Sequence, residues 1–263
     1  YDHAGSKWRV LVKEQTFLVE TPDGKMETFL AMPEGDGPYP SVVLFMDIWG
    51  MREQLRDITR FVAAEGFACA APSLYYRWGN NHFDYRHADG TTKSIFTLSE
   101  DDRQQMLDYG SQLTDDMATS DTAALMGHLR GIDGVSRGYA GSFGYCMGGR
   151  HVVKIAAAYP DIFRANASFH GTFLVSDHPD SPHLGAPDIQ GEVYFGMGEK
   201  DPFTPPDVIN TVKQAFDAGP AKAIYSIHAD TDHGYAIPDR DVYNKDATDA
   251  DWKAVFAMFR RVL

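Results

Sequence analysis

The sequence predicts an α/β fold: a mostly parallel central sheet, helices on both of its faces, and a β-hairpin at the start. Three observations carry this. Short apolar runs recur at residues 41–46, 67–71, 138–143, 165–170, 192–197 and 223–228, each of strand length and apolar on both sides, as strands buried on two faces are. Stretches with helical periodicity separate these runs, and strand–helix alternation is the pattern of a parallel sheet covered on both faces. Ahead of them, residues 10–32 alternate apolar and polar positions around Thr21-Pro-Asp-Gly24, a turn flanked by two strands.

The elements follow in order. Residues 35–40, rich in Gly and Pro, form a loop before the first buried strand. Residues 52–65 have helical periodicity and stop at Gly66, a residue suited to a helix C-terminus. Residues 67–71 are a second buried strand, ended by Pro72. Residues 73–100, rich in Tyr, Trp, Asn, His and Gly, are too irregular for either pattern, and a loop of that length inside a compact domain is usually functional or mobile. A long helix is expected over 100–130, with a break near Gly110. Helices at 149–159, 207–216 and 247–263 alternate with the remaining strands. No repeat or linker interrupts the pattern, so residues 1–263 are expected to form one domain.

Composition bounds the function. A net charge of −13 disfavours nucleic acid and anionic membrane as partners, because both require a positive face. No apolar run approaches the ~20 residues that span a bilayer. Residues 1–7 carry no basic-then-apolar leader pattern, and the only cysteines, Cys69 and Cys146, cannot build a disulfide framework. Together these features lead to the expectation of a cytoplasmic protein acting on a small molecule. Monomer and homodimer are both compatible with the sequence.

One stretch concentrates the chemistry: Gly144-Tyr-Cys146-Met-Gly148-Gly149, where a strand passes into a helix. Gly-x-Cys-x-Gly is the thiol form of the nucleophile elbow, in which small flanking residues let backbones approach the nucleophile. The helix N-terminus that follows favours a thiolate. Cys69 sits in an apolar strand and is read as core. A thiol nucleophile requires a base and a group to orient it. Asp201, before Pro202, and His233, before Gly234, each follow a buried strand. Taken singly, Asp201 could be a turn former and His233 a surface residue. In the order Cys, Asp, His they match the α/β-hydrolase triad. His151 is expected to face its neighbours or solvent, His228 to be a satisfied core residue, and His170 to rank below His233 as a pocket residue. Metal-ligand spacings are absent, and no metal or cofactor is expected.

These residues resemble the dienelactone hydrolase (carboxymethylenebutenolidase) family of α/β hydrolases. The resemblance extends to Phe45-Met-Asp-Ile-Trp-Gly50, Ala64-Glu-Gly-Phe-Ala68 and Ala71-Pro-Ser-Leu-Tyr75, and covers the chain from about residue 15. It implies the α/β-hydrolase fold, with Cys146 as nucleophile, His233 as acid and base, Asp201 as its orienting group, and an oxyanion hole from the backbone N–H groups of Met147 and Ile48. Two positions depart from the family pattern. Asp47 stands where type members carry Glu, and is open to two roles: acceptor of the thiol proton, or cap of the helix near Arg52. Of the two arginines that hold a substrate carboxylate in type members, Arg103 matches the first. Ile237 occupies the place of the second, with Arg240 nearby but off position. Tyr145, Trp49 and Tyr75 are further substrate-binding candidates. The expected activity is hydrolysis of a lactone or small ester through a thioester. The alternative is a vestigial α/β-hydrolase fold that only binds a ligand.

Overall fold

The computed structural model describes residues 12–79 and 82–263. Val10, the expected start of the hairpin, lies outside them. Eight strands form one sheet: β1 (Val12–Thr21), β2 (Gly24–Pro33), β3 (Ser41–Phe45), β4 (Ala68–Pro72), β5 (Ala140–Tyr145), β6 (Phe163–Phe169), β7 (Glu192–Gly198) and β8 (Lys222–His228). Six α-helices accompany them: α1 (Glu53–Ala64), α2 (Glu100–Gly110), α3 (Asp115–Leu129), α4 (Met147–Ala158), α5 (Pro206–Asp217) and α6 (Lys245–Val262). The strand order is β1-β2-β4-β3-β5-β6-β7-β8. The hairpin β1–β2 is antiparallel and joins β4 antiparallel, and every other neighbouring pair runs parallel.

Parallel strands must be covered on both faces. On one face α1 and α6 meet, with Phe61 edge-on to Trp252 and to Phe256. Beneath them Trp252 packs against Phe143 and Phe169, both fully buried, and each ring of this size contributes roughly 2–3 kcal/mol by leaving water. On the other face α4 lies over β5, β6 and β3 with α3 beside it, and α5 covers β8. β8 departs from expectation. It is the sheet's edge and is only half-buried: α5 packs on one face, and among the described residues no strand pairs with its outer side.

Local sequence explains most boundaries. Gly66, just past α1, adopts the left-handed conformation (φ +103°) that ends a helix at little cost to glycine. The stretch 100–130 is two helices. The Thr114 side chain accepts the Met117 N–H and starts α3 anew, a cap worth about 1 kcal/mol. Gly110, at the end of α2, lies so close to Ile48 that a Cβ there would sit 2.6 Å from the Ile48 side chain. The described part of the irregular stretch is held by residues far along the chain. Thr92 N–H donates to the Asp239 carbonyl, Asp241 N–H to the Thr92 carbonyl, and Ser94 N–H to the Asp241 carboxylate. This stitching lays Ile95 over the carboxyl edge of the sheet.

Candidate active site

The loops after β3, β5, β6, β7 and β8 converge at the carboxyl edge of the sheet, where open α/β sheets place their sites. Cys146, between β5 and α4, has φ +56° and ψ −117°, a conformation that costs a non-glycine residue about 1–3 kcal/mol. Its surroundings over-determine it. The Cys146 N–H donates to Phe169 O at 3.1 Å, and its carbonyl accepts from Gly149, Arg150 and Thr172. The glycines are required by contact. A Cβ on Gly144 would lie 2.3 Å from Gly148 O, and one on Gly148 would lie 2.2 Å from Phe45 O. That second approach sets the start of α4 directly against the end of β3. As the first residue of α4, Met147 carries an N–H that the helix itself cannot pair. Ile48 follows β3, and both line a cavity with Cys146.

His233 and Asp201 come from the adjoining loops. Lys200 N–H donates to Thr231 O and Glu199 N–H to His228 O, tying the two loops together. The His233 Nδ1–H donates to Asp201 Oδ2 at 2.8 Å, and Asp201 Oδ1 accepts the Phe203 N–H at 2.8 Å. Both side chains are buried. Burial alone would depress the His233 pKa. The charge of Cys146 and the hydrogen bonds to Asp201 and to Cys146 outweigh it and raise the value to about 10. Cys69 is fully buried and its thiol pKa is pushed up by that burial, which leaves it inert.

Two cavities meet at Cys146. The outer one, about 710 Å³, is large enough for a small organic substrate. Its apolar wall is Ile48, Ile95, Leu113, Phe173 and Phe203, and its polar wall carries Asp108, Asp115, Asp116, Arg150, His151, His178 and Asp180. Arg150 and His151 both bind Asp115, Arg150 at 2.6 Å and His151 through Nδ1 at 3.0 Å. Burial would raise the Asp115 pKa, but these partners hold it well below the carboxylate range. The inner chamber, about 10 Å³, is bounded by Asp47, Trp49, Ser94, Cys146, His170, His233 and Arg240, among others. Asp47 is fully engaged there. Arg52 binds its two oxygens at 2.7 and 3.1 Å, Arg240 binds Oδ2 at 2.6 Å, and the Trp49 N–H donates to Oδ1. Burial would raise the Asp47 pKa; the two guanidinium groups overcome this and lower it.

Of the residues expected at the site, Cys146, Asp201 and His233 come together, Met147 and Ile48 lie beside the thiol, and Asp47 and Trp49 line the inner chamber. Asp47 does not cap α1, whose first turn receives no side-chain cap. Three candidates line neither cavity. Tyr145 shares a face of β5 with Phe143, because side chains alternate along a strand, and is buried against Phe169 in the core. Tyr75 is buried behind the oxyanion segment and donates its hydroxyl to Ile48 O at 3.0 Å. Arg103 sits near the start of α2, whereas the helix offers the cavity its last turn, Leu107 to Gly110, about 6 Å further on. Arg240, one turn beyond Ile237, does border the inner chamber with Cys146. His151 is buried and paired rather than solvated, and His228 is satisfied by Asp251 at 2.5 Å. Among the described residues, no group of three or more His, Cys, Asp or Glu side chains is disposed to hold a metal ion, and no helix is long and apolar enough to cross a membrane.

Comparison with known proteins identifies the family. Residues 26–263 match the model of the dienelactone hydrolase family. A protein of Synechocystis sp. named "Putative carboxymethylenebutenolidase" is 27% identical over 258 residues, covering 95% of this chain and 98% of its own length. A protein of Escherichia coli K12 with the same name is 27% identical, covering 93% of this chain and 90% of its own. A crystal structure from Klebsiella pneumoniae, described as a "Putative Dienelactone Hydrolase", superposes with a TM-score of 0.81 at 24% identity, over 95% of this chain and 99% of that one. The chain belongs to the dienelactone hydrolase family of the α/β-hydrolase superfamily, and is a hydrolase of ester or lactone type.

Proposed function

We propose that the protein hydrolyses an uncharged lactone or small ester through a thioester on Cys146. The observation that carries this reading is the chain of contacts from Asp201 through His233 to Cys146, at the mouth of a cavity of substrate size. In this scheme His233, its pKa raised to about 10, holds the proton, and the Cys146 sulfur reacts in its thiolate form. The thiolate attacks the carbonyl carbon, and the N–H groups of Met147 and Ile48 receive the developing oxyanion, a contribution of about 3 kcal/mol per donor. His233 then gives its proton to the departing alkoxide. The neutral imidazole, still oriented by Asp201, deprotonates the water that cleaves the thioester. Asp47 takes no proton in this scheme: both its oxygens are bound by guanidinium groups, so its part is to hold the 47–49 segment that carries the Ile48 N–H.

The charge of the cavity argues for an uncharged substrate. Among the described residues, four aspartates face one arginine there, and that arginine is spent on Asp115. Two unbridged thiols, Cys69 and Cys146, suit a reducing compartment, which supports a cytoplasmic enzyme whose partner is a small molecule. The test is Cys146→Ala assayed on short-chain aryl esters and lactones. We expect a loss of at least about 10³-fold in kcat, the scale on which removing a nucleophile acts. Turnover at an undiminished rate would overturn the thioester route.

A further inference from the structure

Behind Cys146, on the side the acyl group cannot enter, one histidine has no work in the scheme above. His170 is fully buried, and neither ring nitrogen has a hydrogen-bond partner among the described residues. Buried polar atoms are almost always paired, and each one left alone costs about 1–3 kcal/mol. The backbone of His170 is also strained, with φ +38°, and is held there by its N–H donating to Gly196 O at 2.8 Å. Its ring stands edge-on to His233, with centroids 4.8 Å apart. It borders the inner chamber together with His233, Cys146, Ser94 and Arg240. A chamber of about 10 Å³ is the size of one water and is far too small for an acyl group.

We propose that His170 positions the water that cleaves the thioester. The inference rests on the thioester reading. The acyl group occupies the outer cavity, so the chamber remains available to water throughout the cycle. Burial first, then the charges of His233 and Arg240, drive the His170 pKa well below its usual value, so the ring is neutral, with one N–H to donate and one nitrogen to accept. Such a ring fixes a water from one side while His233 Nε2 faces it from the other. In the step itself, the water oxygen forms a bond to the acyl carbon and its proton passes to His233 Nε2. The tetrahedral adduct then collapses: the C–S bond breaks with its electron pair on Sγ, releasing the carboxylic acid and restoring the thiolate beside the imidazolium.

The test separates acylation from deacylation with p-nitrophenyl acetate in stopped flow. In His170→Leu we expect the stoichiometric burst of nitrophenolate to persist while the steady-state rate falls about 10²-fold, the lower range for loss of assistance to a proton transfer. KM should fall with kcat, and mass spectrometry should find Cys146 acetylated. His170→Asn, an amide that tolerates positive φ, should recover part of the steady-state rate. A second measurement uses the unaltered protein. Added methanol should yield no methyl acetate, because a chamber sized for water does not admit it. Methanolysis in proportion to concentration, or a His170→Leu enzyme whose burst and steady state are both unchanged or fall together, would overturn the role of His170. Absence of a Cys146 acetyl adduct from every variant and from the unaltered enzyme would instead sink the thioester reading on which it stands.

Discussion

Arg240 and Asp47 are separated by 193 positions in the chain, yet Nη2 of one lies 2.6 Å from Oδ2 of the other, and the same guanidinium covers the Trp49 ring with its carbon 3.6 Å from the ring centroid. The pair is buried, and Arg52 completes it from the other side. Breaking a buried pair by removing one partner costs about 3–5 kcal/mol, because the other charge is left uncompensated. Arg240→Ala should therefore lower the unfolding free energy by that amount in urea titrations. Asp47→Asn strands two guanidinium groups and should cost at least as much. The two together should cost much less than their sum, a coupling readable from the double-mutant cycle. A different result, Asp47→Asn stable but dead with the burst lost, would restore Asp47 as acceptor of the thiol proton.

The raised pKa of His233 has a defined pH signature. The folded chain holds this proton more tightly than the unfolded chain, so the stabilisation is complete below the unfolded pKa of about 6.5 and is lost as pH rises through about 10. Folding stability should decline across that window. Burial opposes the shift, and the charge of Cys146 is the largest cause that raises it, so Cys146→Ala should flatten the decline. An NMR titration of the His233 ring should show its transition near pH 10 in the unaltered protein and well below that in Cys146→Ala. Acylation, which requires the imidazolium to protonate the leaving group, should fail on the alkaline side as His233 loses its proton. A ring titrating near its ordinary value in both proteins would contradict a His233 that holds its proton at neutral pH.

The elbow was legible in the sequence because its constraints are local. Gly144, Gly148 and Gly149 are imposed by contacts within a few residues of Cys146 and with the neighbouring strands β3 and β6. The apolar runs of β3 to β7 were legible for the same reason: burial on both faces writes itself into consecutive residues. β8 was misjudged as buried because an apolar run does not record whether a further layer covers it. His170 was read as a lesser pocket residue and Arg240 as near the second arginine's place, and both border the inner chamber, but the contacts of Arg240, Arg52 and His170 were not legible. What recruits them is proximity between loops far apart in sequence, and no periodicity encodes that. Tyr145 misled by adjacency: next to Cys146 in the chain, it points to the opposite side of the strand, as alternation requires.

Gly148 gives a steric prediction with an internal control. A methyl group there would press 2.2 Å from Phe45 O and 2.6 Å from Met46 O, both rigid backbone, and must push α4 away from β3. That spreads Met147 from Ile48. Gly148→Ala should lose about 10²–10³-fold in kcat, the scale of one oxyanion donor, with about 1–3 kcal/mol of stability. Gly127, inside α3, has no atom within 4 Å of where a Cβ would lie. Gly127→Ala should gain about 0.5–1 kcal/mol from helix propensity and leave kcat unchanged. Equal kcat in both variants would remove the oxyanion role from this contact.

Substrate charge offers the last prediction. Asp108 and Asp116 are exposed at the rim of the outer cavity, and Asp180 is also exposed there, hydrogen-bonded to His178. Arg150, the one arginine on the cavity wall among the described residues, is bound to Asp115 at 2.6 Å. A substrate carboxylate would meet these acidic groups with no unengaged arginine or lysine among the described residues of the wall. Repulsion between partly solvated charges is modest, roughly a few-fold each in binding. A neutral aryl ester should therefore exceed its carboxylated analogue by about ten-fold or more in kcat/KM. Asp108→Asn and Asp116→Asn should each narrow the gap several-fold, and raised salt should narrow it further because these charges are screened. A preference for the carboxylated ester that survives both substitutions and high salt would move anion recognition inward, to Arg240, and would require that residue to release Asp47 when substrate binds.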